Sequence, residues 1–138
     1  MKKILLVSHG EMAEGTKKAA EMIAGKSEQL EALCLSEDGD IEQFKKELSS
    51  KFNGYSKESQ VIVVADLMGG SPYLAVLEML GKQNKLNEVV AIAGMNLPLV
   101  LSLILSGENS SRDSIKEMIE DSKKYIGMYE ESDDDVDF

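Results

Sequence analysis

Four short apolar runs, each followed by a segment with helical periodicity, constrain the fold of this 138-residue chain more than any other feature. They are residues 2–8, 28–35, 60–67 and 88–94, and the third, QVIVVADL, has the β-branched composition of a buried strand. Strands that alternate with helices pair in parallel, because each right-handed crossover lays its helix over a face of the sheet. The sequence therefore predicts a doubly wound α/β domain with a mainly parallel four-stranded sheet in the order 2-1-3-4, flanked by helices.

Polar residues mark where several of the helices begin. Asp40 is expected to cap the second helix. Ser71 is expected at the N-cap of the third, with Pro72 at the first helical position. Ser110 and Asp113 resemble a capping box at the start of the last helix.

The C-terminal part carries weaker signals. Ile126 is expected to extend the apolar face of the last helix, although residues 125–129, YIGMY, also fit a fifth short strand. Residues 130–138 contain six acidic groups and no basic one, which is typical of a solvated terminus, with a docking role as the alternative. We expect one domain over residues 1–129 and an acidic tail over residues 130–138.

The composition disfavours several classes of protein. The formal net charge is -10, and no cluster of Lys and Arg indicates nucleic-acid binding. The longest apolar run, residues 97–105, is far shorter than the roughly 20 residues that span a bilayer, and no secretory signal is expected after Lys2 and Lys3. Cys34 is the only cysteine, which excludes an internal disulfide and a cysteine-rich metal site. We expect a cytoplasmic protein.

The candidate chemistry lies in the loops that follow the strands. Open parallel sheets bind ligands at the carboxyl ends of their strands, where the winding direction reverses. In the order 2-1-3-4 that point lies between the first and third strands, which are followed by His9, the only histidine, and by Asp66. Beside them, Gly69, Gly70 and Ser71 open a helix, whose backbone amides and hydroxyl favour an anion.

The pairing of these groups suggests phosphoryl transfer. A carboxylate bonded to one imidazole nitrogen fixes the tautomer and leaves the other nitrogen free to attack. Each feature also has a plainer explanation, since a histidine at a strand end is usually structural, Asp66 suits a turn, and GGSP is a good helix start. Their joint placement at one predicted crevice favours a functional site.

Three motifs, SHG at residues 8–10, DLMGGSP at 66–72 and GMNLP at 94–98, resemble those of a known family. In this order they are similar to the IIA proteins of the mannose-type phosphoenolpyruvate-dependent sugar phosphotransferase system, over about residues 2–129. The resemblance implies a phosphotransferase that acts through a phosphohistidine. It would accept a phosphoryl group from HPr and pass it to a IIB component, with membrane permease subunits as indirect partners and with no cofactor or metal.

The resemblance also assigns roles to individual residues. His9 would be phosphorylated, and Asp66 would orient its ring. It implies that the phosphate is held by Ser71, Gly70, Gly69 and Gly10. It further implies a homodimer in which a strand at residues 125–129 is exchanged between subunits. Two positions depart from the pattern of many relatives, which have Asn at the place of Leu74 and an aromatic residue at that of Met68, so the contacts with partners are expected to differ.

Other classes with this architecture fit the sequence less well. The related subunit of the dihydroxyacetone kinase system also has a histidine after its first strand but lacks the GGSP motif, and it ranks second. A flavodoxin-like binding module would have aromatic stacking groups and a phosphate loop after the first strand, where SHGEMAEG contains no aromatic residue. A receiver domain of the response-regulator kind needs acidic residues where Ser8 and His9 stand.

Overall fold

The computed structural model describes residues 1–131 of the chain. In this part, the strands are β1 (Lys2–His9), β2 (Leu30–Leu35), β3 (Gln60–Ala65) and β4 (Val90–Ala93), and the helices are α1 (Met12–Ala24), α2 (Ile41–Asn53), α3 (Ser71–Lys82), α4 (Leu97–Leu105) and α5 (Arg112–Lys123). None of these helices has the length and apolar character needed to cross a membrane. The predicted acidic tail lies outside the described residues from position 132 onward.

The sheet confirms the predicted topology. Its four described strands are parallel and follow the order β2-β1-β3-β4. β1 lies inside the sheet, with His9 opposite Leu35 of β2 and Val7 opposite Ala65 of β3. β1 has a strand on each side and helices on both faces, so its side chains are buried on both faces. This explains why its sequence is an uninterrupted apolar run.

Alternation along β1 divides the core into two layers. Leu5 and Val7 pack in the cluster beneath α2 and α3, whereas Ile4 and Leu6 pack in the cluster beneath α1, α4 and α5. The same alternation continues at the end of the strand, since successive side chains of a strand point to opposite faces. Ser8 therefore points toward α1 and His9 toward the side of α3.

The start of α3 differs from the prediction by one residue. Gly70, with extended backbone angles of φ -73° and ψ 163°, is the N-cap, and Ser71 is already the first helical residue. Ser71 at the N-cap was therefore a wrong prediction. The reason is the turn before the helix, which is closed by a 3.1 Å hydrogen bond from Gly70 N to the carbonyl of Leu67 and leaves Gly70 as the last non-helical residue.

Two further predicted caps have different outcomes. Asp40 caps α2 by accepting a hydrogen bond from Gln43 N at 3.1 Å, as predicted. The prediction of Ser110 as the cap of α5 is wrong, because Ser111 accepts the hydrogen bond from Ser114 N at 3.0 Å. Ser110 is buried and bonds to other elements instead.

Ser110 belongs to a buried polar cluster at the amino edge of the sheet. The ammonium of Lys2 donates to the carbonyl of Leu103 at 2.8 Å, to Ser106 Oγ at 2.6 Å and to Ser110 Oγ at 3.3 Å. Gln60 bonds to both the backbone amide and the carbonyl of Ser110. Burial lowers the pKa of Lys2, yet the three acceptors and the C-terminal end of α4 stabilise its charge. The cluster ties α4 to the first residues of β1 and β3.

The chain leaves α5 earlier than predicted. The helix ends at Lys123, and Lys124 N turns back to the carbonyl of Asp121. Ile126 is 77% exposed, so its prediction as part of the inner helix face is wrong. Residues 125–129 form neither helix nor strand within the described chain, and the predicted exchange of this segment in a dimer stays a prediction.

Candidate functional site

His9 is the last residue of β1 and reaches the surface at the carboxyl edge of the sheet. Its side chain is 46% exposed, whereas the preceding residues from Ile4 to Ser8 are buried. Pairing with β2 on one side and β3 on the other fixes the backbone up to the histidine. The fold thus presents an imidazole to solvent from a rigid strand.

Asp66 follows β3 and holds His9 by two hydrogen bonds through one oxygen. Its Oδ2 accepts from the backbone amide of His9 at 3.0 Å and lies 2.9 Å from the ring nitrogen Nδ1. An ionised carboxylate can only accept, so we assign the proton of the neutral ring to Nδ1. The second ring nitrogen, Nε2, then carries a free lone pair.

The other carboxylate oxygen of Asp66 has an unusual environment. The side chain is only 10% exposed, and Oδ1 is buried with no hydrogen-bond partner among the described residues. Leaving a buried acceptor unpaired costs free energy. Asp66 thus presents to His9 one oxygen that accepts two hydrogen bonds and one that has no partner among the described residues.

Gly70 packs directly against the imidazole. A Cβ atom built at this position would lie 2.7 Å from His9 Cε1 and 3.5 Å from Nε2. The backbone angles of Gly70 are ordinary, so the close approach to the ring, rather than backbone strain, requires glycine here. The GGSP motif indicated a site at this turn, and the structure places its second glycine against the edge of the ring that carries Cε1 and Nε2.

The remaining predicted residues surround this centre in different ways. Gly10 and Gly69 adopt positive φ angles of 52° and 79°, which lets the two loops turn beside the histidine. The amide of Gly10 is engaged with the carbonyl of Leu35 at 2.8 Å, and that of Gly70 with Leu67. Ser71 is exposed at the first position of α3. Phosphate binding by these four residues stays a prediction.

Ser8 is part of the site's framework and was not predicted as a site residue. Its buried hydroxyl accepts a 2.7 Å hydrogen bond from Ala13 N and donates to the carbonyl of Gly10 at 3.3 Å. Glu11, at the N-cap of α1, makes no capping side-chain bond to the described residues. Ser8 therefore caps α1 from within the strand, and the only sequence signal was a polar residue at the end of an apolar run.

Asn96 of the third motif bonds to helices α4 and α5. Its Oδ1 accepts from Leu99 N at 3.0 Å and so caps α4, while its Nδ2 donates to the carbonyl of Ser122 at 3.0 Å. The side chain thereby joins the start of α4 to the end of α5. Within residues 1–131, no three or more His, Cys, Asp and Glu residues are grouped so that they could hold a metal ion.

Comparison with known sequences identifies similar proteins. The family described as the PTS system fructose IIA component, EIIA-man, matches residues 3–121. The sorbose-specific EIIA component of Lacticaseibacillus casei is 27% identical over 108 residues, which cover 78% of this chain and 75% of that protein. The fructose-specific EIIA component of Bacillus subtilis (strain 168) is 23% identical over 101 residues, which cover 73% of this chain and 67% of that protein.

Solved structures have the same fold. The PTS IIA protein associated with the fucose utilization operon of Streptococcus pneumoniae is 27% identical, with a TM-score of 0.80 and coverage of 92% of both chains. The mannose/sorbose-specific IIA subunit from Enterococcus faecalis is 22% identical, with a TM-score of 0.79 and coverage of 94% of this chain and 96% of that chain. The fold predicted from the sequence is thus that of solved IIA proteins.

Proposed function

We propose that this chain is a phosphocarrier whose His9 accepts and passes on a phosphoryl group. The chain belongs to the mannose-type IIA family (EIIA-man) of the phosphoenolpyruvate-dependent sugar phosphotransferase system. The donor is HPr and the acceptor is a IIB component, which connects the chain indirectly to membrane permease subunits. The single observation that supports this role most is the 2.9 Å contact between His9 Nδ1 and Asp66, since it leaves Nε2 as the nucleophile.

The reaction on His9 is a direct exchange of one P–N bond for another. The lone pair of Nε2 attacks the phosphorus of the donor phosphohistidine in line, and the donor's P–N bond breaks with its electron pair returning to the donor imidazole. The proton on Nδ1 stays in the hydrogen bond to Asp66, whose negative charge balances the ring as it becomes positive. Transfer to the acceptor repeats these steps in reverse, with His9 as the leaving group.

The charge on the transferred group calls for hydrogen-bond donors beside Nε2. A phosphate carries roughly two negative charges near neutral pH. The N-terminus of α3 begins next to Nε2, because its N-cap Gly70 contacts the ring, and the first amides of a helix have no partner within it. The hydroxyl of Ser71 lies in the same first turn. These groups support the role of the GGSP segment in holding the phosphoryl group.

Phosphorylation with purified components tests the proposal. The full chain is incubated with labelled phosphoenolpyruvate, the general donor enzyme and HPr, and the label on this chain is measured. We expect the wild type to be labelled, His9→Gln to remain unlabelled, and the label of the wild type to move to a IIB component. Equal labelling of wild type and His9→Gln would contradict the assignment of His9. The matched control is Asn53→Gln, an exposed residue at the end of α2.

We also propose that the chain forms a homodimer through residues 125–129. Four large apolar side chains in this segment are more than half exposed: Tyr125, Ile126, Met128 and Tyr129. Strand β4 pairs with β3 alone within the described chain, so its outer edge can accept another strand. Exchange of the segment onto the β4 edge of a second copy would cover both surfaces.

The mass in solution tests this assembly. Sedimentation equilibrium should give twice the 15.1 kDa of one chain. Ile126→Lys should lower the association constant, because it places a charge in the exchanged segment, whereas Met22→Lys on the exposed face of α1 should not. A wild-type mass equal to that of one chain would contradict the proposed homodimer.

A further inference from the structure

A cavity of about 550 Å³ opens at the amino edge of the sheet, opposite the edge that carries His9. It lies between the loop that joins α2 to β3 and the loop that joins α3 to β4. We call it the amino-edge cavity. Its volume is within the range of small-molecule sites, about 300–1,000 Å³. The residues that line it lie outside the site around the histidine.

The floor of the amino-edge cavity is apolar and aromatic. Phe52, Val61 and Val89 belong to the core layer beneath α2 and α3, with exposed fractions of 6%, 7% and 7%, and each also lines the cavity. Tyr55 lies beside them, with its ring centroid 5.5 Å from that of Phe52. Its hydroxyl donates a 2.6 Å hydrogen bond to Glu31, which anchors the ring. The floor thus offers a fixed apolar surface to the carbon skeleton of a ligand.

Two lysines line the cavity with their charges unpaired inside the described chain. Lys57 and Lys85 form no ion pair and no side-chain hydrogen bond with another residue of 1–131, whereas Lys45 and Lys82 both pair with Glu78. The carboxyl ends of α2 and α3 face the same edge and together add about one negative charge, which two ammonium groups exceed. The lysines therefore favour an anionic group, and lysine is a common ligand of phosphate.

The cavity also contains groups that a bare anion would leave unused. Glu88 lines it, and the carboxylate makes no hydrogen bond to a described residue. An ionised carboxylate only accepts hydrogen bonds, so it requires hydroxyl or N–H donors from a ligand. Its charge also offsets that of one lysine, so a bare anion would gain little. Ser56 and Ser59 add two hydroxyl groups to the same wall. A ligand with hydroxyl groups as well as an anion would engage all of these side chains.

Backbone hydrogen bonds hold both loops in place. The carbonyl of Lys85 accepts from the amides of Glu88 and Val89, at 3.0 and 3.1 Å. In the other loop, the amide of Ser59 donates to the carbonyl of Ser56 at 3.0 Å. The cavity is therefore formed before a ligand arrives, and binding does not have to order the loops, which would otherwise cost free energy.

We infer that the amino-edge cavity is a binding site for a phosphorylated sugar. The C–H face of the sugar ring packs on the floor beside Tyr55. The phosphate meets Lys57 and Lys85, and hydroxyl groups of the ring donate to Glu88. A sugar phosphate combines an apolar face, several hydrogen-bond donors and an anion in one small molecule. The inference goes beyond the proposed function, because the site takes another ligand at the edge of the sheet opposite His9.

Titration of the full chain tests the inference. Isothermal titration calorimetry is carried out with glucose 6-phosphate, mannose 6-phosphate and fructose 6-phosphate, and with the unphosphorylated sugars and inorganic phosphate as controls. We expect at least one sugar phosphate to bind with a Kd of about 1 mM or lower, and every control to bind at least about tenfold more weakly. The inference is overturned if no sugar phosphate binds below about 10 mM, or if inorganic phosphate binds equally well.

Lysine variants test the location of the site. Lys57→Gln and Lys85→Gln should each raise the Kd for the sugar phosphate about tenfold, because each removes a charge that faces the phosphate. The matched control is Lys116→Gln, which removes the same charge from an exposed position of α5 and should bind like the wild type. Unchanged binding by the two cavity variants overturns the inference. Equal losses in all three variants also overturn it, because net charge alone would then explain the binding.

Glu88→Ala tests whether the ligand is a sugar. The variant loses an acceptor for hydroxyl groups and also a charge that repels phosphate. The preference for the sugar phosphate over inorganic phosphate should therefore fall. An equal gain for both ligands would mean that Glu88 only repels anions, and it would overturn the assignment of a sugar, as would tighter binding of AMP than of any sugar phosphate. None of these measurements involves phosphoryl transfer, so their outcome is independent of the proposed function.

Discussion

One oxygen of Asp66 accepts hydrogen bonds from both the backbone and the ring of His9, at 3.0 and 2.9 Å. The backbone bond fixes the end of β1, and the ring bond fixes the orientation and tautomer of the imidazole. The same atom therefore positions the end of β1 and the ring that extends from it. The consequences of this geometry can be measured at several positions.

Asp66→Asn should retain the fold and lose most of the transfer activity. Asparagine keeps an acceptor of the same size for the His9 amide, but it lacks the negative charge that balances a positive ring. We expect the rate of His9 labelling by HPr to fall about 100-fold. Asp113→Asn, an exposed position in the first turn of α5, is the control and should label at the wild-type rate. Wild-type labelling of Asp66→Asn would mean that the carboxylate charge is not needed.

Gly70→Ala should displace the ring while leaving the rest of the protein folded. The new Cβ would lie 2.7 Å from His9 Cε1, a distance at which one of the two groups must move. A misplacement of about 1 Å can reduce a rate by about 100-fold, so labelling should fall by tenfold or more. The measurement is the initial rate, together with circular dichroism to verify folding.

Gly107→Ala, between α4 and α5, is the matched control for Gly70→Ala. Its Cβ would meet no atom within 4 Å, but its φ of 91° is unfavourable for alanine. The free energy of unfolding should therefore fall by about 1 kcal/mol, with little change in the rate of labelling. If Gly107→Ala loses as much activity as Gly70→Ala, contact with the ring is not the reason for glycine at position 70.

Ser8→Ala should destabilise the protein through the start of α1. The substitution leaves the buried amide of Ala13 without its 2.7 Å acceptor, because Glu11 does not replace it. Loss of such a cap costs about 1–2 kcal/mol of unfolding free energy, measurable by urea denaturation. Ser36→Ala, in an exposed turn, should cost less. Equal stability of Ser8→Ala and wild type would show that the strand residue is not the functional cap.

Glu78 gives the protein a small dependence of stability on acid pH. Hydrogen bonds from Lys82 at 3.0 Å and from Lys45 lower its pKa below the ordinary value of 4.5. A carboxyl group with a lower pKa in the folded state stabilises the fold above its unfolded pKa, and this contribution disappears as the pH falls through the folded pKa. Glu78→Gln should therefore lower the melting temperature slightly at pH 7, and the difference from wild type should vanish in acid. A difference that persists in acid would contradict the assigned cause.

The sequence was sufficient for the topology and for the pairing at the centre of the site. Strong apolar runs fixed the four strands, and the order β2-β1-β3-β4 brought His9 and Asp66 together as predicted. The errors occur where neighbouring residues suit the same local role. Gly70 and Ser71 can both precede a helix, as can Ser110 and Ser111, and the hydrogen bonds of the surrounding turn decide between them.

Other features depended on contacts that no local pattern encodes. The role of Ser8 follows from the packing of α1 against the end of β1, which brings the amide of Ala13 to its hydroxyl. The helical periodicity of the sequence includes Ile126, whereas α5 ends at Lys123. Near that end, Asn96 from a distant loop binds the carbonyl of Ser122, a contact that the periodicity does not encode. Hydrogen bonds between residues far apart in the sequence are therefore part of the structure at the start of α1 and at the end of α5, where local helix propensity does not decide the boundary.

His9 lies at the end of an interior strand, so the contacts that fix its ring are separate from the exposed side chains of the neighbouring turn and helix. The backbone of His9 is held by pairing with β2 and the ring by Asp66, whereas Met68 and Leu74 are exposed on a turn and on a helix. Substitutions of these two exposed side chains would change the surface of the turn and the helix without altering the strands that hold the histidine. The part of the fold that fixes the ring and the exposed turn and helix can therefore be redesigned separately.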